Sequence, residues 1–357
     1  MRIVIKVGSN VLTQNTNAVQ LVMTRRIIGE IFSLQQQGHE IILVSSGAIA
    51  CGRTFLPDLT GQQAKQVWAA VGQPLLIQQY NQYALEWGLK IGQCLMLRVD
   101  FVDRERYDHL LETLDSLLKA QVLPIVNGND VVARSDLTVG DNDMLAAMVA
   151  VATAADKLFL LTNQKGLYTA NPDSDPNAKF INVIENVDAK LEELCSREVS
   201  THGRGGMISK VKAAKQAVHA GIEAFIADGR ESGIIAKILD GQDVGTRFVA
   251  SGIKPKTEQK RWLLASRGYG QLVIDQGAAQ ALKSNNSLLF PGIISLKGLF
   301  EKGEIVEVMS KAGEAVAYGK VNFSQKDLQQ ALQLKRDHKD AGVSKEVIHR
   351  DQLVVLG

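Results

Sequence analysis

The sequence predicts an α/β protein with a mainly parallel sheet, followed by a smaller β-rich unit. Three observations carry that prediction. The first 250 residues repeat one rhythm: a short β-branched or leucine-rich run, a loop, then an amphipathic helical stretch. The runs are almost continuously apolar, as strands covered on both faces by helices must be, and strands in such sheets are parallel. Beyond that point the pattern changes to short alternating segments punctuated by glycine, the pattern of a small barrel.

In chain order, the buried-strand candidates are Ile3–Val7, Ile41–Val44, Cys94–Val99, Val122–Val126, Leu158–Leu161 and Ile222–Ala227. Between the first two, Ile27, Ile28, Ile31 and Leu34 fall on one helical face, and Gly38 supplies the residue that most readily ends a helix. Leu110, Leu111, Leu114, Leu117 and Leu118 mark a second helix, and Met144–Ala155 a third. These apolar stripes are core. Residues 251–261, rich in lysine and polar side chains around Pro255, read as a linker, dividing the chain into 1–250 and 262–357. In the second part the strand candidates are Trp262–Ala265, Gln271–Ile274, Leu288–Phe290, Gly303–Met309 and Ala315–Val321, with a last one in the closing VIHRDQLVVLG.

Composition narrows the function classes. Of 357 residues, 45% are apolar and 22% charged, an ordinary globular profile. The formal charge of +2 is the difference between 40 basic and 38 acidic side chains, so no overall field draws the protein to nucleic acid or membranes. The three cysteines, Cys51, Cys94 and Cys195, form no CxxC and no disulfide framework, which fits a reducing compartment. No apolar run approaches the roughly 20 residues that cross a bilayer. MRIVIKVG enters a strand pattern directly, with no signal-peptide features. The expectation is a soluble, cytoplasmic protein.

In an open α/β sheet, ligands bind beyond the carboxyl ends of the strands, so the loops there are the candidates. After the first strand come Lys6, Val7, Gly8, Ser9 and Asn10, where a glycine opens backbone amides to an anion and a lysine adds charge; taken alone, this loop reads rather as a plain turn with a solvated lysine. Ser45, Ser46, Gly47 and Ala48 follow the second strand, as an anion-receiving turn or merely a helix cap. Asn127, Gly128, Asn129 and Asp130 follow the fourth, a cluster that turn chemistry alone can explain. Gly140, Asp141, Asn142 and Asp143 stand at the start of the third helix, where one acid is a cap. The second acid is in surplus, and could orient lysines or help to hold magnesium.

The stretch Gly203-Arg204-Gly205-Gly206-Met207-Ile208-Ser209-Lys210 brings three glycines before a lysine-bearing helix, a plausible phosphate cradle. No GxxxxGK[ST], no GxGxxG at a strand-to-helix turn, no protein-kinase motif set and no GxSxG elbow is present. Together the loops suit phosphoryl transfer, which needs charge neutralisation and little covalent help, so direct transfer from ATP is the simpler mechanism.

IVIKVGSNVL, VSSGAIACGR, VGDNDMLAA, LLTNQKGLYTANP and GGMISK, in this order, resemble the glutamate 5-kinases, a family of the amino acid kinase superfamily. The resemblance covers nearly the whole chain and includes a carboxy-terminal PUA-like domain. It implies a three-layer α/β/α sandwich and phosphorylation of the γ-carboxylate of L-glutamate by ATP with Mg2+, the first step of proline biosynthesis. It implies that Lys6 and Lys210 stabilise the moving phosphoryl group and that Asp143 orients them. Ser46, Gly47, Asp130 and Asn142 would hold glutamate. Lys6, Gly8, Thr162, Asn163, Arg204, Gly205, Gly206, Met207, Ile208, Ser209 and Lys210 would surround the nucleotide, with magnesium bridging its phosphates and no protein ligand assigned to it. The family also implies a homo-oligomer, dimer or tetramer, feedback inhibition by proline, and hand-over of γ-glutamyl phosphate to a reductase.

Four positions depart from the family pattern: Gly128 replaces an acid, Thr138 a lysine, Asn163 an aspartate and Arg204 a threonine. The first two border the acceptor and bear on proline sensitivity, and the others border the nucleotide. Two rival readings remain. PUA-like domains are familiar in RNA-modifying enzymes, and Lys254, Lys256, Lys260, Arg261 and Arg267 add local basic charge, although the near-neutral total weighs against strong phosphate-backbone binding. The four departures also admit a regulatory paralogue that binds amino acid or nucleotide without turnover.

Overall fold

A computed structural model of the chain describes residues 1–14, 16, 18–132, 141–170, 172, 175–196, 206–250, 254, 255, 257–266, 270–336 and 346–356. They divide into two compact units, 1–218 with 222–250, and 251–357 with 219–221. No helix among the described residues is long and apolar enough to cross a membrane.

The strands of the first unit are β1 (Arg2–Val7), β2 (Glu40–Ser45), β3 (Lys90–Met96), β4 (Val122–Gly128), β5 (Lys157–Thr162), β6 (Leu167–Tyr168), β7 (Phe180–Ile181), β8 (Val183–Ile184), β9 (Glu223–Asp228) and β10 (Thr246–Phe248). Its helices are α1 (Ser9–Thr13), α2 (Leu21–Gln36), α3 (Ala48–Phe55), α4 (Ala64–Glu86), α5 (Val99–Val102), α6 (Arg104–Lys119), α7 (Asn142–Ala152), α8 (Ala189–Ser196), α9 (Met207–His219) and α10 (Ile234–Leu239). The main sheet runs β3-β4-β2-β1-β5-β9-β10-β8. It is parallel from β3 to β9, and β10 turns antiparallel to β9 with β8 parallel to β10. The apolar runs of β1, β2, β4 and β5 are buried because these strands are central, whereas β3 at the edge is exposed or half-covered until Met96.

That edge position explains one displaced expectation. The third strand spans Lys90–Met96 rather than Cys94–Val99, since its polar first half carries no continuous apolar signal. It stops where the Asp100 carboxylate accepts from Leu97 N at 2.6 Å, turning the chain into α5. The third predicted helix also moves. Asp141 caps it, accepting from Met144 N at 2.9 Å, so α7 begins at Asn142 and ends at Ala152. The helix is buried from Leu145 to Ala152 and packs on β1, β2, β4 and β5. On the other layer α2 turns Met23, Ile27, Ile28, Ile31 and Leu34 into the core and stops before Gly38, whose φ of +82° suits glycine.

α3 and α4 cross with almost no side chain between them. A Cβ on Gly52 would lie 1.9 Å from Trp68 O, and one on Gly72 would lie 1.8 Å from Ala48 O. The backbones therefore touch directly, with glycine supplied by each helix at the crossing.

In the second unit, helix α11 (Glu258–Ala265) and strand β11 (Gln271–Ile274) lead into α12 (Gln276–Lys283), β12 (Leu288–Leu289), β13 (Ile293–Lys297), β14 (Ile305–Ser310) and β15 (Ala315–Lys320). Helix α13 (Gln325–Arg336), β16 (Glu346–Ile348) and β17 (Leu353–Val355) complete it. A five-stranded sheet, β13-β11-β14-β15-β17, and a β12–β16 pair enclose a core of Leu272, Ile274, Phe290, Val306, Val308 and Leu328 among others. Trp262–Ala265, expected as a strand, is instead the last part of α11. Thr257 caps that helix and its four apolar residues are all buried, a short run whose type periodicity alone does not decide. The expected strand at Leu288–Phe290 is cut to Leu288–Leu289, because Phe290–Gly292 form a short 3-10 turn.

Gly72→Ala must force the two helices apart, and overpacking of this kind costs about 1–3 kcal/mol. Gly29→Ala in the middle of α2 meets only the Trp87 ring at 3.4 Å, so it gains helix propensity and is expected to be neutral or stabilising. Urea unfolding of both variants reads the two opposite signs.

Candidate active site

Parallel register brings the strand ends to one edge of the sheet. Val7 lies beside Ser45 on one side and Leu161 on the other, and Val44 lies beside Val126. Lys6 and Gly8, Ser45 and Ser46, Asn127 and Gly128, and Thr162 therefore share that edge, and α7 starts beside them.

The surplus acid of the α7 terminus is Asp143, fully buried between two cations. Lys6 Nζ lies 2.5 Å from its Oδ1, and Lys210 Nζ lies 3.0 Å from its Oδ2. Ser209 Oγ lies 2.7 Å from the same Oδ2 and 2.9 Å from Gly206 O. Lys6 comes from β1, Asp143 from α7, Ser209 and Lys210 from the first turn of α9, so residues more than 60 apart in sequence meet. A buried carboxylate without such partners would be neutralised rather than kept charged. Burial alone pushes Asp143 up, but the Lys6 and Lys210 charges, with hydrogen bonds from Lys6 and Ser209, outweigh it and hold the group below the ordinary carboxylate range. Lys6 is pushed down, by burial and then by the like charge of Lys210, against the pull of Asp143. The asymmetry follows from the surroundings: Asp143 faces two cations that outweigh its burial, whereas burial and the Lys210 charge outweigh the pull of Asp143 and Asp141 on Lys6. Asp141, the cap, is pushed up by burial and by the Asp143 charge.

Beside this cluster lies the set of residues expected to hold the acceptor. Asn142 Nδ2 reaches Ser45 O at 2.9 Å, Ser46 Oγ at 3.0 Å and Asn127 Oδ1 at 2.9 Å, while its Oδ1 accepts from Gly128 N at 3.3 Å. Ser46, Asn142 and the end of β4 are thus joined. Gly47 adopts φ +107°, and a Cβ there would press on Val19 and Leu12 at 3.2 and 3.3 Å, so glycine is required for the turn into α3. Asp130 is half-buried two residues beyond β4, its amide donating to Gly128 O at 3.0 Å. Ser45 and Asn127 were legible only as loop residues. Their signal is a polar side chain closing an otherwise apolar run, and both are buried.

On the nucleotide side, Gly8 N donates to Leu161 O at 3.1 Å, joining the β1 turn to β5. Thr162 ends β5, its carbonyl accepting from Gly229 N at 2.8 Å and its hydroxyl 3.4 Å from Asn163 Oδ1. Gly206 and Met207 open α9, and Met207 lines a small pocket with Gln164, Leu167, Tyr168, Leu194 and Cys195. Ile208 is half-buried. Arg204, Gly205, Gly203, Gly140 and Thr138 lie outside the described residues. Among the described residues, no three His, Cys, Asp or Glu side chains group as a metal-ion site.

Comparison with known proteins bears on this arrangement. The model of the amino acid kinase family matches residues 1–228, and the PUA domain model matches residues 270–339. A glutamate 5-kinase of Vibrio vulnificus is 41% identical over 99% of this chain and 96% of its own length. One from Proteus mirabilis is 38% identical over 99% and 98%. Among solved structures, carbamate kinase from Giardia lamblia bound to AMP-PNP covers 70% of this chain and 98% of its own, at 18% identity and a TM-score of 0.51. An isopentenyl phosphate kinase covers 70% and 100%, at 18% identity and a TM-score of 0.50, and both likenesses are of fold. The chain belongs to the amino acid kinase family, in its glutamate 5-kinase branch, with a PUA domain following the kinase domain.

Proposed function

We propose that the chain transfers the γ-phosphoryl group of ATP to the γ-carboxylate of L-glutamate, giving γ-glutamyl phosphate and ADP, the first step of proline biosynthesis. The observation that carries this reading is the buried Lys6–Asp143–Lys210 cluster at the strand ends, next to the polar Ser46–Asn142 group. A carboxylate oxygen of glutamate attacks the γ-phosphorus as the bond to the bridging oxygen of ADP breaks, and ADP leaves with that electron pair. The acceptor is already anionic, so no general base is needed. What the reaction requires is positive charge around the spreading phosphoryl oxygens, which two ammonium groups fixed by one carboxylate supply without reorganising.

Ser46, Gly47, Asp130 and Asn142 hold glutamate in this reading. Gly8, Thr162, Asn163 and the segment from Arg204 to Lys210 hold the nucleotide. Magnesium would accompany the nucleotide and offset the charge of its phosphates; Asp143, with both oxygens engaged by lysines, is not assigned to it. The enzyme acts in the cytoplasm as a homo-oligomer, is subject to inhibition by proline, and passes its unstable acyl phosphate to a reductase. The kinase domain occupies 1–250 and the PUA-like domain 262–357.

Removing one of the phosphoryl-stabilising charges is expected to lower kcat by roughly 100- to 1,000-fold. Lys210→Ala should show that loss in glutamate-dependent hydroxamate formation while its KM for glutamate stays within a few-fold of wild type. Turnover retained in Lys210→Ala would sink the assignment.

The pH profile carries a second expectation. Only the protonated form of Lys6 neutralises phosphate charge, and its pKa lies below the ordinary 10.5. Its charge is therefore lost at lower pH than that of a free lysine. The alkaline limb of kcat/KM for ATP, which reports the free enzyme, should have its midpoint below 10.5.

A further inference from the structure

Behind Ser46 and Asn142 stands one face of α4. Gln73 and Tyr80 are seven residues apart on that helix, two turns, and so point the same way. The Tyr80 side chain is fully buried and its hydroxyl lies 2.8 Å from Ser45 Oγ. Ser45 Oγ also donates to Ser46 O at 2.9 Å, and a hydroxyl has one proton to give, so Tyr80 is the donor to Ser45. Burial pushes the phenol pKa upward, which keeps that donor protonated. Gln73 Oε1 accepts from Asn127 Nδ2 at 2.9 Å. That bond fixes the Asn127 amide with its Oδ1 turned to Asn142 Nδ2 and to Gly128 N, each at 2.9 Å.

The count around Asn142 is uneven. Its amide nitrogen has two protons and three acceptors within 3.0 Å: Ser45 O, Asn127 Oδ1 and Ser46 Oγ. Asn127 Oδ1 belongs to an amide held from α4 by Gln73, and Ser45 O is a main-chain carbonyl of β2; Tyr80 instead holds the Ser45 hydroxyl that donates to Ser46 O. Only the Ser46 hydroxyl is free to rotate away without stranding a buried group. An arriving carboxylate can therefore take the O–H of Ser46, while the two N–H groups of Asn142 stay on Ser45 O and Asn127 Oδ1.

We infer that Gln73 and Tyr80 are positioning residues for the acceptor: Gln73, through Asn127, fixes the Asn142 amide, and Tyr80, through the Ser45 hydroxyl, fixes the Ser46 main chain, so that the Ser46 hydroxyl beside Asn142 is presented to a carboxylate. This deepens the functional reading above and rests on its assignment of Ser46 and Asn142 to the acceptor. Neither α4 side chain touches substrate, and both act through strand-end residues.

The test is calorimetric titration of the purified full chain with glutamate and, separately, with magnesium AMP-PNP, alongside thermal melts. Tyr80→Phe and Gln73→Leu each remove one supporting hydrogen bond, and Gln73→Glu keeps an acceptor oxygen for Asn127. The expected result is a glutamate Kd weakened about three- to tenfold in Tyr80→Phe and Gln73→Leu, the range of one lost hydrogen bond. Nucleotide Kd should be unchanged, and Gln73→Glu should bind glutamate as wild type does. Unchanged glutamate affinity in both variants overturns the inference. So does equal weakening of both ligands with a lowered Tm, the signature of general destabilisation. A wild-type chain that binds the nucleotide but not glutamate overturns the functional reading instead.

Discussion

A single carboxylate, fully enclosed and flanked by two ammonium groups, sets the terms for the rest of the kinase unit. Asp143 is affordable in that position only because Lys6 and Lys210 reach it, and they reach it only because β1, α7 and α9 end or begin at the same edge of the sheet. The parallel register of β1 with β2 and β5 is therefore more than packing. It determines that residues from distant parts of the chain arrive together and that water is kept from the charges they carry. The two ammonium groups held there are what an incoming phosphate group would meet.

The fold supports this edge from both layers. α7 is so thoroughly apolar after its first turn that its amino terminus, with Asn142 and Asp143, is fixed by the burial of everything behind it. On the opposite layer α2 supplies the long apolar stripe, while α3 and α4 are pressed into backbone contact at Gly52 and Gly72. The polar groups at the strand ends would be costly if left unpaired in such surroundings, and the chain pairs Ser45, Asn127 and Asn142 with one another and with α4.

Much of the fold was legible because its strongest signals are local. Continuous apolar runs announced β1, β2, β4 and β5, and the spacing of Ile27, Ile28, Ile31 and Leu34 announced α2. The signal faded where burial is one-sided, so the first half of β3 was missed. It was ambiguous where four apolar residues could serve either period, so Trp262–Ala265 was assigned as strand and is helix. Within the site, Lys6, Asp143 and Lys210 each occupied a loop or helix end that could be singled out, yet their meeting is a property of topology. Ser45, Gln73, Asn127 and Tyr80 illustrate the remainder. Nothing in the local sequence around Gln73 or Tyr80 distinguishes them from other polar residues of a long helix, because the partner of each lies on another element.

The crossing of α3 and α4 has a mechanical side. Helices separated by side chains can slide as rotamers adjust, but two backbones in contact have nothing between them to yield. α3, which begins immediately after Ser46 and Gly47, is therefore held against α4 with no side chain between them at the crossing. The distal end of α4 lies roughly 20 Å along the helix from Gly72, and Leu85 is exposed there. Pro74, two residues beyond the contact, has no amide proton, so one rung of the helical ladder is missing between the crossing and that remote end.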